Sequence, residues 1–209
     1  YQADGSASFA PIKVDIDVLA WARSPTIVRL HNDNYMVVWR EQAGNSQGEL
    51  RYFARIISPE GILQSALLPL NETDLELGSS GGNVDAPVAR VLRSGDVAVA
   101  WAGRVADTGN NDVFARILSD QGNYLGDELD TGANTAGIEG SPIVTETIQH
   151  GLVLLWQNRA TGQSETSPNQ TLTRIYSRHF DSVMNPLNEA TMLGLNDTKQ
   201  ENMPAAATF

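Results

Sequence analysis

A repeat dominates this sequence and limits what it can fold into. Segments 24–39 (SPTIVRLHNDNYMVVW), 86–101 (APVARVLRSGDVAVAW) and 141–156 (SPIVTETIQHGLVLLW) each place a proline fourteen residues before a tryptophan. The pairs are Pro25/Trp39, Pro87/Trp101 and Pro142/Trp156, and each segment runs on to an aromatic-small-arginine triplet ending at Arg55, Arg116 or Arg178. A fourth copy opens at residues 203–209, with Pro204 in register. Proline-to-proline periods are 62, 55 and 62 residues. The extra length sits in Gly/Ser/Asn-rich stretches, 75–84 and 159–171, which are what loops on a rigid scaffold tolerate.

Within each repeat the local pattern is strand. YMVVW, VAVAW and LVLLW are apolar on both faces, so both faces must be covered. RYFARII, DVFARIL and RIYSRHF are further β-type runs, each leading into a turn region (SPEG, SDQG, DSVMN). A weaker strand flanks each side. Four strands repeating every 50–60 residues or so, with apolar inner strands, read as a propeller blade. Tandem β-sandwich modules are the runner-up and usually need nearer ~100 residues each. The expected fold is therefore all-β: a propeller-like array of four-stranded antiparallel blades, three of them full, plus terminal strands. The expected divisions are 1–23 (a segment with the closing strand of a preceding or partner blade, over 7–20), 24–85, 86–140 and 141–202 (blades 1 to 3), and 203–209 (the first strand of a further blade).

Charge and composition then exclude partners. With 25 acids against 14 bases the net charge is −11, so phosphate backbones repel the chain and nucleic acid is not expected. No apolar run approaches the ~20 residues of a spanning helix, so membrane insertion is not expected. The absence of cysteine removes disulfides and thiolate metal sites.

Several short motifs carry a chemical reading beside a plain one. Asp130-Thr131-Gly132-Ala133 spells the surroundings of an aspartic protease carboxylate. The repeat aligns Leu129-Asp130 with Leu70-Asn71 and Leu195-Asn196, and Asn cannot pass a proton, so Asp130 reads as a turn residue. GSSGG (78–82) spells a nucleophile elbow but lacks the strand–helix setting, and reads as a linker. Asp107, Asn110 and Asp112 offer closely spaced oxygen ligands of the kind calcium takes, while a polar hairpin explains them more simply. His31, His150 and His179 do not cluster. Arg55, Arg116 and Arg178 read as architectural, each pairing with a carboxylate or carbonyl of a neighbouring blade. Trp39, Trp101 and Trp156 read as inter-blade packing, with Trp21 outside the repeat and freer. The sequons at Asn71, Asn169 and Asn196 are patterns that polar turns produce by chance.

The elements APVARVL, SGDVAVAW, DVFAR and SDQGNYLG resemble a repeat of about 55–60 residues found in large secreted and surface proteins of bacteria. The likeness spans residues 24–209, and repeat three departs from it where HFDSVMN lacks the glycine turn. The resemblance implies an extracellular propeller-like array, of the adhesin or calcium-dependent exoprotein kind, and brings no catalytic residues. The function expected first is a non-enzymatic module for adhesion, ligand binding or surface assembly, extracellular or on the cell surface. Its expected partners are other protein chains (copies of itself or the rest of a longer propeller), with carbohydrate as a candidate ligand. The alternative is the scaffold of a secreted carbohydrate-active enzyme whose catalytic residues lie in other blades.

Overall fold

Alternating apolar runs closed by short polar turns fold here into β-strands, thirteen of them among the described residues. The computed structural model describes residues 10–15, 21–42, 48–76, 86–131, 137–164 and 167–193, without the side chains of residues 160–164 and 167–172. Blade 1 comprises β1 (Trp21–Arg29), β2 (Tyr35–Gln42), β3 (Glu49–Ile57) and β4 (Leu68–Pro69), followed by β5 (Leu75–Glu76) in the connection. Blade 2 comprises β6 (Val88–Val91), β7 (Val97–Val105), β8 (Asn111–Leu118) and β9 (Leu129–Asp130). Blade 3 comprises β10 (Ile138–Glu146), β11 (Leu152–Ser164), β12 (Ser167–Phe180) and β13 (Thr191–Leu193). Each blade is antiparallel throughout, its strands paired in chain order. The protein is an all-β, propeller-like array.

One register recurs in all three blades. Trp39 lies opposite Phe53, Trp101 opposite Phe114, and Trp156 opposite Tyr176. Because side chains alternate across a strand, each blade has a face turned back and a face turned forward along the chain. Met36, Val38, Tyr52 and Ile56 of blade 1 pack on Val97, Val99, Trp101 and Phe114 of blade 2. The other face of blade 2, Ala98, Ala100, Ala102, Val113 and Ala115, takes Leu152, Leu154, Trp156 and Phe180 of blade 3. Trp101 and Trp156 thus point to the preceding blade, and Trp39 lies on the equivalent face of blade 1. Trp39, with Val37 and Phe53, meets Val14 of the N-terminal segment there. Residues 10–15 form no strand. The rest of the closing strand expected over 7–20, and the fourth copy at 203–209, lie outside the described residues.

The innermost strands of blades 1 and 3 begin earlier than the repeat's prolines, whereas β6 begins just after Pro87. β1 starts at Trp21 and β10 at Ile138, ahead of the divisions drawn at residues 24 and 141, and each is bulged just before its proline. Ser24 and Ser141 take φ of 52° and 49° to make the bulge, a backbone region that costs a non-glycine residue energy. Trp21 therefore belongs to blade 1.

The third-to-outer-strand turns show how sequence and geometry can separate. Gly61 and Gly122 sit at φ 81° and 86°, and the matching position of blade 3 is Met184 at φ 68°. Repeat three lacks the glycine but keeps the turn. Asp181 Oδ1 accepts from Val183 N and Asn185 N at 3.0 and 2.8 Å. The Ser58 and Ser119 hydroxyls accept from the same two turn positions in blades 1 and 2.

Antiparallel chain order places the β7–β8 hairpin (106–110) at the same end as the connections between blades. Here β5 does something that packing alone does not: it hydrogen-bonds to β3 on one side and β7 on the other, joining two blades through backbone. Gly103 permits the approach, since a Cβ at that position would meet Leu75 Cδ1 at 2.7 Å.

Candidate functional site

The outer strands correct the sequence alignment. Ala54 pairs with Leu68, Ala115 with Leu129, and Ser177 with Thr191. Asp130 is therefore a strand residue opposite Phe114, equivalent to Pro69 and Met192, and not a turn residue equivalent to Asn71. Asn71 is the turn former: its Oδ1 accepts from Tyr52 N at 2.7 Å and its Nδ2 donates to Thr73 O at 2.9 Å. Asn196 and Gly132-Ala133 lie outside the described residues.

With the register set, blade 2 departs from its neighbours on one face. Asp112 stands where blades 1 and 3 have Arg51 and Arg174; Glu128 stands where they have Leu67 and Ala190; Asp130 replaces Pro69 and Met192. All three acids share the side of Phe114 that is turned to blade 1. Together with Thr73, Val105, Thr108, Asn110 and Phe114 they line a cleft of about 250 Å³ between blade 2 and the connection that leads into it from blade 1. The acids come from neighbouring strands, β8 and β9, while Thr73 comes from the connection.

Electrostatics single out Asp112. Burial, and then the charge of Asp130, push its carboxyl up from 3.8 to about 6. Desolvation disfavours a lone charge, and a like charge nearby disfavours it further. Burial also raises Glu128, against the opposing pull of hydrogen bonds from the backbone of Thr73 and Glu72. Its Oε2 accepts from Glu72 N and Thr73 N at 2.7 Å each. Its Oε1 is buried with no hydrogen-bond partner among the described residues. A buried acceptor without a donor calls for a water or a ligand hydroxyl. The cleft thus offers carboxylate acceptors, a carboxyl that keeps its proton to unusually high pH, and apolar wall from Phe114 and Val105.

The other sequence-derived candidates fall elsewhere. Asp107 is exposed at the hairpin tip and does not line the cleft, whereas Asn110 and Asp112 do. Among the described residues no three His, Cys, Asp or Glu side chains converge to hold a metal, so the calcium set Asp107, Asn110 and Asp112 has no such cluster behind it. The arginines reach back along the chain: Arg116 Nη1 donates to Leu70 O at 3.0 Å, Arg178 Nη1 to Thr131 O, and Arg55 Nη1 to Val14 O at 2.8 Å. Arg116 also pairs with Glu72 and lies over the Tyr124 ring. Trp101 and Trp156 are fully buried, and Trp39 donates from Nε1 to Glu41 at 2.9 Å. His150 Nδ1 stands 3.4 Å from the buried Glu146, while His31 lies beside Gly95 and His179 is exposed. The GSSGG stretch lies outside the described residues.

No helix among the described residues is long and apolar enough to cross a membrane. No family model and no curated protein matches the sequence. Solved structures do resemble the fold. An α-L-arabinanase of Penicillium chrysogenum, complexed with arabinobiose, superposes with a TM-score of 0.55 at 11% identity, over 85% of this chain and 52% of that one. An α-L-arabinofuranosidase of Fusarium graminearum, bound to an iminosugar inhibitor, gives 0.52 at 10% identity, over 77% of this chain and 45% of that one. The chain spans about half the length of these two structures. What it shares with them is the β-propeller fold.

Proposed function

We propose that this chain is part of the propeller scaffold of a secreted carbohydrate-active enzyme, and that the cleft between blade 2 and the 70–76 connection takes a neutral, polyhydroxylated ligand. The observation that carries this reading is the cleft itself: three acids at positions where the other blades carry Arg, Leu, Ala, Pro or Met, with Glu128 Oε1 buried and lacking a donor. Sugar hydroxyls both donate to carboxylates and accept from a protonated carboxyl, and Asp112 keeps its proton up to about pH 6. Glycoside cleavage needs two carboxyl groups held in different protonation states, so the Asp112–Asp130 couple has the chemistry that such a reaction uses. Arabinan is the substrate class to try first, because the two propellers above are named for acting on arabinose-containing glycans.

This reading moves the enzyme scaffold ahead of the adhesion or assembly module expected from sequence. The module remains the second reading because of Val37, Trp39 and Phe53, an aromatic blade face that, among the described residues, meets a short segment at Val14 and no full blade. The test is a titration of the chain with arabinobiose and arabinan, followed by backbone amide NMR. Shifts centred on Thr73, Asn110 and Asp112 are expected. No response to any neutral glycan in a broad panel would end the proposal.

A further inference from the structure

We propose that Glu128 is the positioning residue of the cleft, gripping the backbone of Glu72 and Thr73 so that the 70–76 connection is held as a strap along the blade 1 side. What the cleft binds rests on the function proposed above; the strap rests on geometry. One carboxylate oxygen, Glu128 Oε2, meets both successive N–H groups at 2.7 Å. Consecutive backbone donors converging on an anion form a nest, and charge-assisted hydrogen bonds are about twice as strong as neutral ones.

The grip is returned from the other side. Glu72 places its own carboxylate on Arg116, and Arg116 donates to Leu70 O at 3.0 Å. Ala106 N then donates to Asp74 O at 2.9 Å, and β5 is hydrogen-bonded to β7 directly after it. Arg104 Nη1 reaches Glu76 at 2.6 Å. Every residue from Leu70 to Glu76 except Asn71, which is anchored to β3, is thus tied to blade 2, and Thr73 is the residue this strap puts into the cleft wall. The charged groups near Glu128 are Arg116 of β8 and Glu72 of the strap, with Asp112 of β8 and Asp130 of β9 lining the same cleft. Leu67 and Ala190, at the equivalent positions, have no acceptor to offer, so this grip is a property of blade 2.

The arrangement also selects ligand chemistry. The unpaired acceptor, Glu128 Oε1, is closed to solvent in this structure. A group that reaches it must therefore shift the strap or the Glu128 side chain, and must donate a hydrogen, as a sugar hydroxyl does. It then shares a carboxylate with the strap. Occupancy and strap position become coupled through one side chain.

The experiment uses the full 209-residue chain as wild type, Glu128→Ala and Glu128→Gln. It reads amide hydrogen exchange at Glu72 and Thr73, the carboxyl titration of Asp112, and arabinobiose binding by NMR. In Glu128→Ala, exchange at those two amides rises about tenfold or more while β7 and β8 stay protected. The Asp112 titration moves down as the cleft opens to water. Glu128→Gln, which keeps a carbonyl acceptor, falls between, and it serves as the test should the alanine variant not fold. Unchanged exchange at Glu72 and Thr73 overturns the strap, as does exchange that rises evenly across blade 2 with Asp112 unmoved. Arabinobiose bound equally by wild type and Glu128→Ala overturns the positioning role. A wild type indifferent to arabinobiose, with the local exchange change intact, defeats the proposed function and supports the strap.

Discussion

The two blade interfaces solve one packing problem in opposite ways. Between blades 1 and 2, large meets large: Met36, Val38 and Tyr52 against Val99, Trp101 and Phe114, with Tyr52 and Trp101 ring centroids 5.8 Å apart. Between blades 2 and 3, large meets small: Leu154, Trp156 and Phe180 rest on Ala98, Ala100, Ala102 and Ala115. The tryptophan is constant and its bed varies. Interiors pack to near-crystalline density, so a repeat can drift at one face only if the facing blade drifts with it.

That contrast can be broken deliberately. Trp101→Ala should have the largest effect, about 3–5 kcal/mol of lost stability by urea denaturation, since its ring is fully buried between Tyr52 and Phe114. A loss under about 1 kcal/mol would mean that the interface collapses around the gap. Arg116→Met comes next, at about 2–3 kcal/mol, because a buried guanidinium leaves Leu70 O and Gly126 O without a charged donor. The same change at Arg55, which is only partly buried, should cost less than half of that; equal losses would contradict the burial argument. Ala100→Leu then separates the interfaces directly. It should overpack the small face and cost about 1–3 kcal/mol, visible as a lower midpoint in the same titration.

The smallest effect belongs to the cleft. The folded-state value of Asp112 is raised from 3.8 to about 6, so the folded chain holds a proton that the unfolded chain releases earlier. Stability is full below about 3.8, falls as pH rises through that window, and stays reduced above about 6. Asp112→Asn should therefore be more stable than wild type at pH 7 and indistinguishable from it at pH 3.5. The gain is less than about 1 kcal/mol, since a half-exposed group is screened by solvent. A thermal midpoint that shifts equally at both pH values would show that burial and the charge of Asp130 do not raise the Asp112 carboxyl in the folded chain.

Much of the fold was legible because strands and turns are local. The Pro-to-Trp spacing locates β2, β7 and β11, and the aromatic-small-Arg triplet locates β3, β8 and β12. The outer strands were not legible in detail. β4 and β9 are two residues long, too short for alternation to fix their register, and a slip of two residues against repeat one and four against repeat three turned Asp130 from a cleft residue into a turn. The cleft itself was hidden for a different reason. Asp112 and Glu128 meet through the pairing of β8 with β9, whose register the sequence did not fix, and Thr73 joins them only once the connection docks on blade 2. Aligning the repeats in the structural register is the signal that exposes them, since it shows three acids where the other copies have none.

The β5 bridge has a mechanical consequence. Blades 1 and 2 share backbone pairing through Leu75 and Glu76, whereas among the described residues blades 2 and 3 share only the pair Asn111–Ile138. Under a pulling force, side-chain contacts slide apart gradually while a hydrogen-bonded ribbon loaded in shear holds and then breaks at once. Blade 3 should peel away first and smoothly, and the first two blades should then yield together in a single abrupt step.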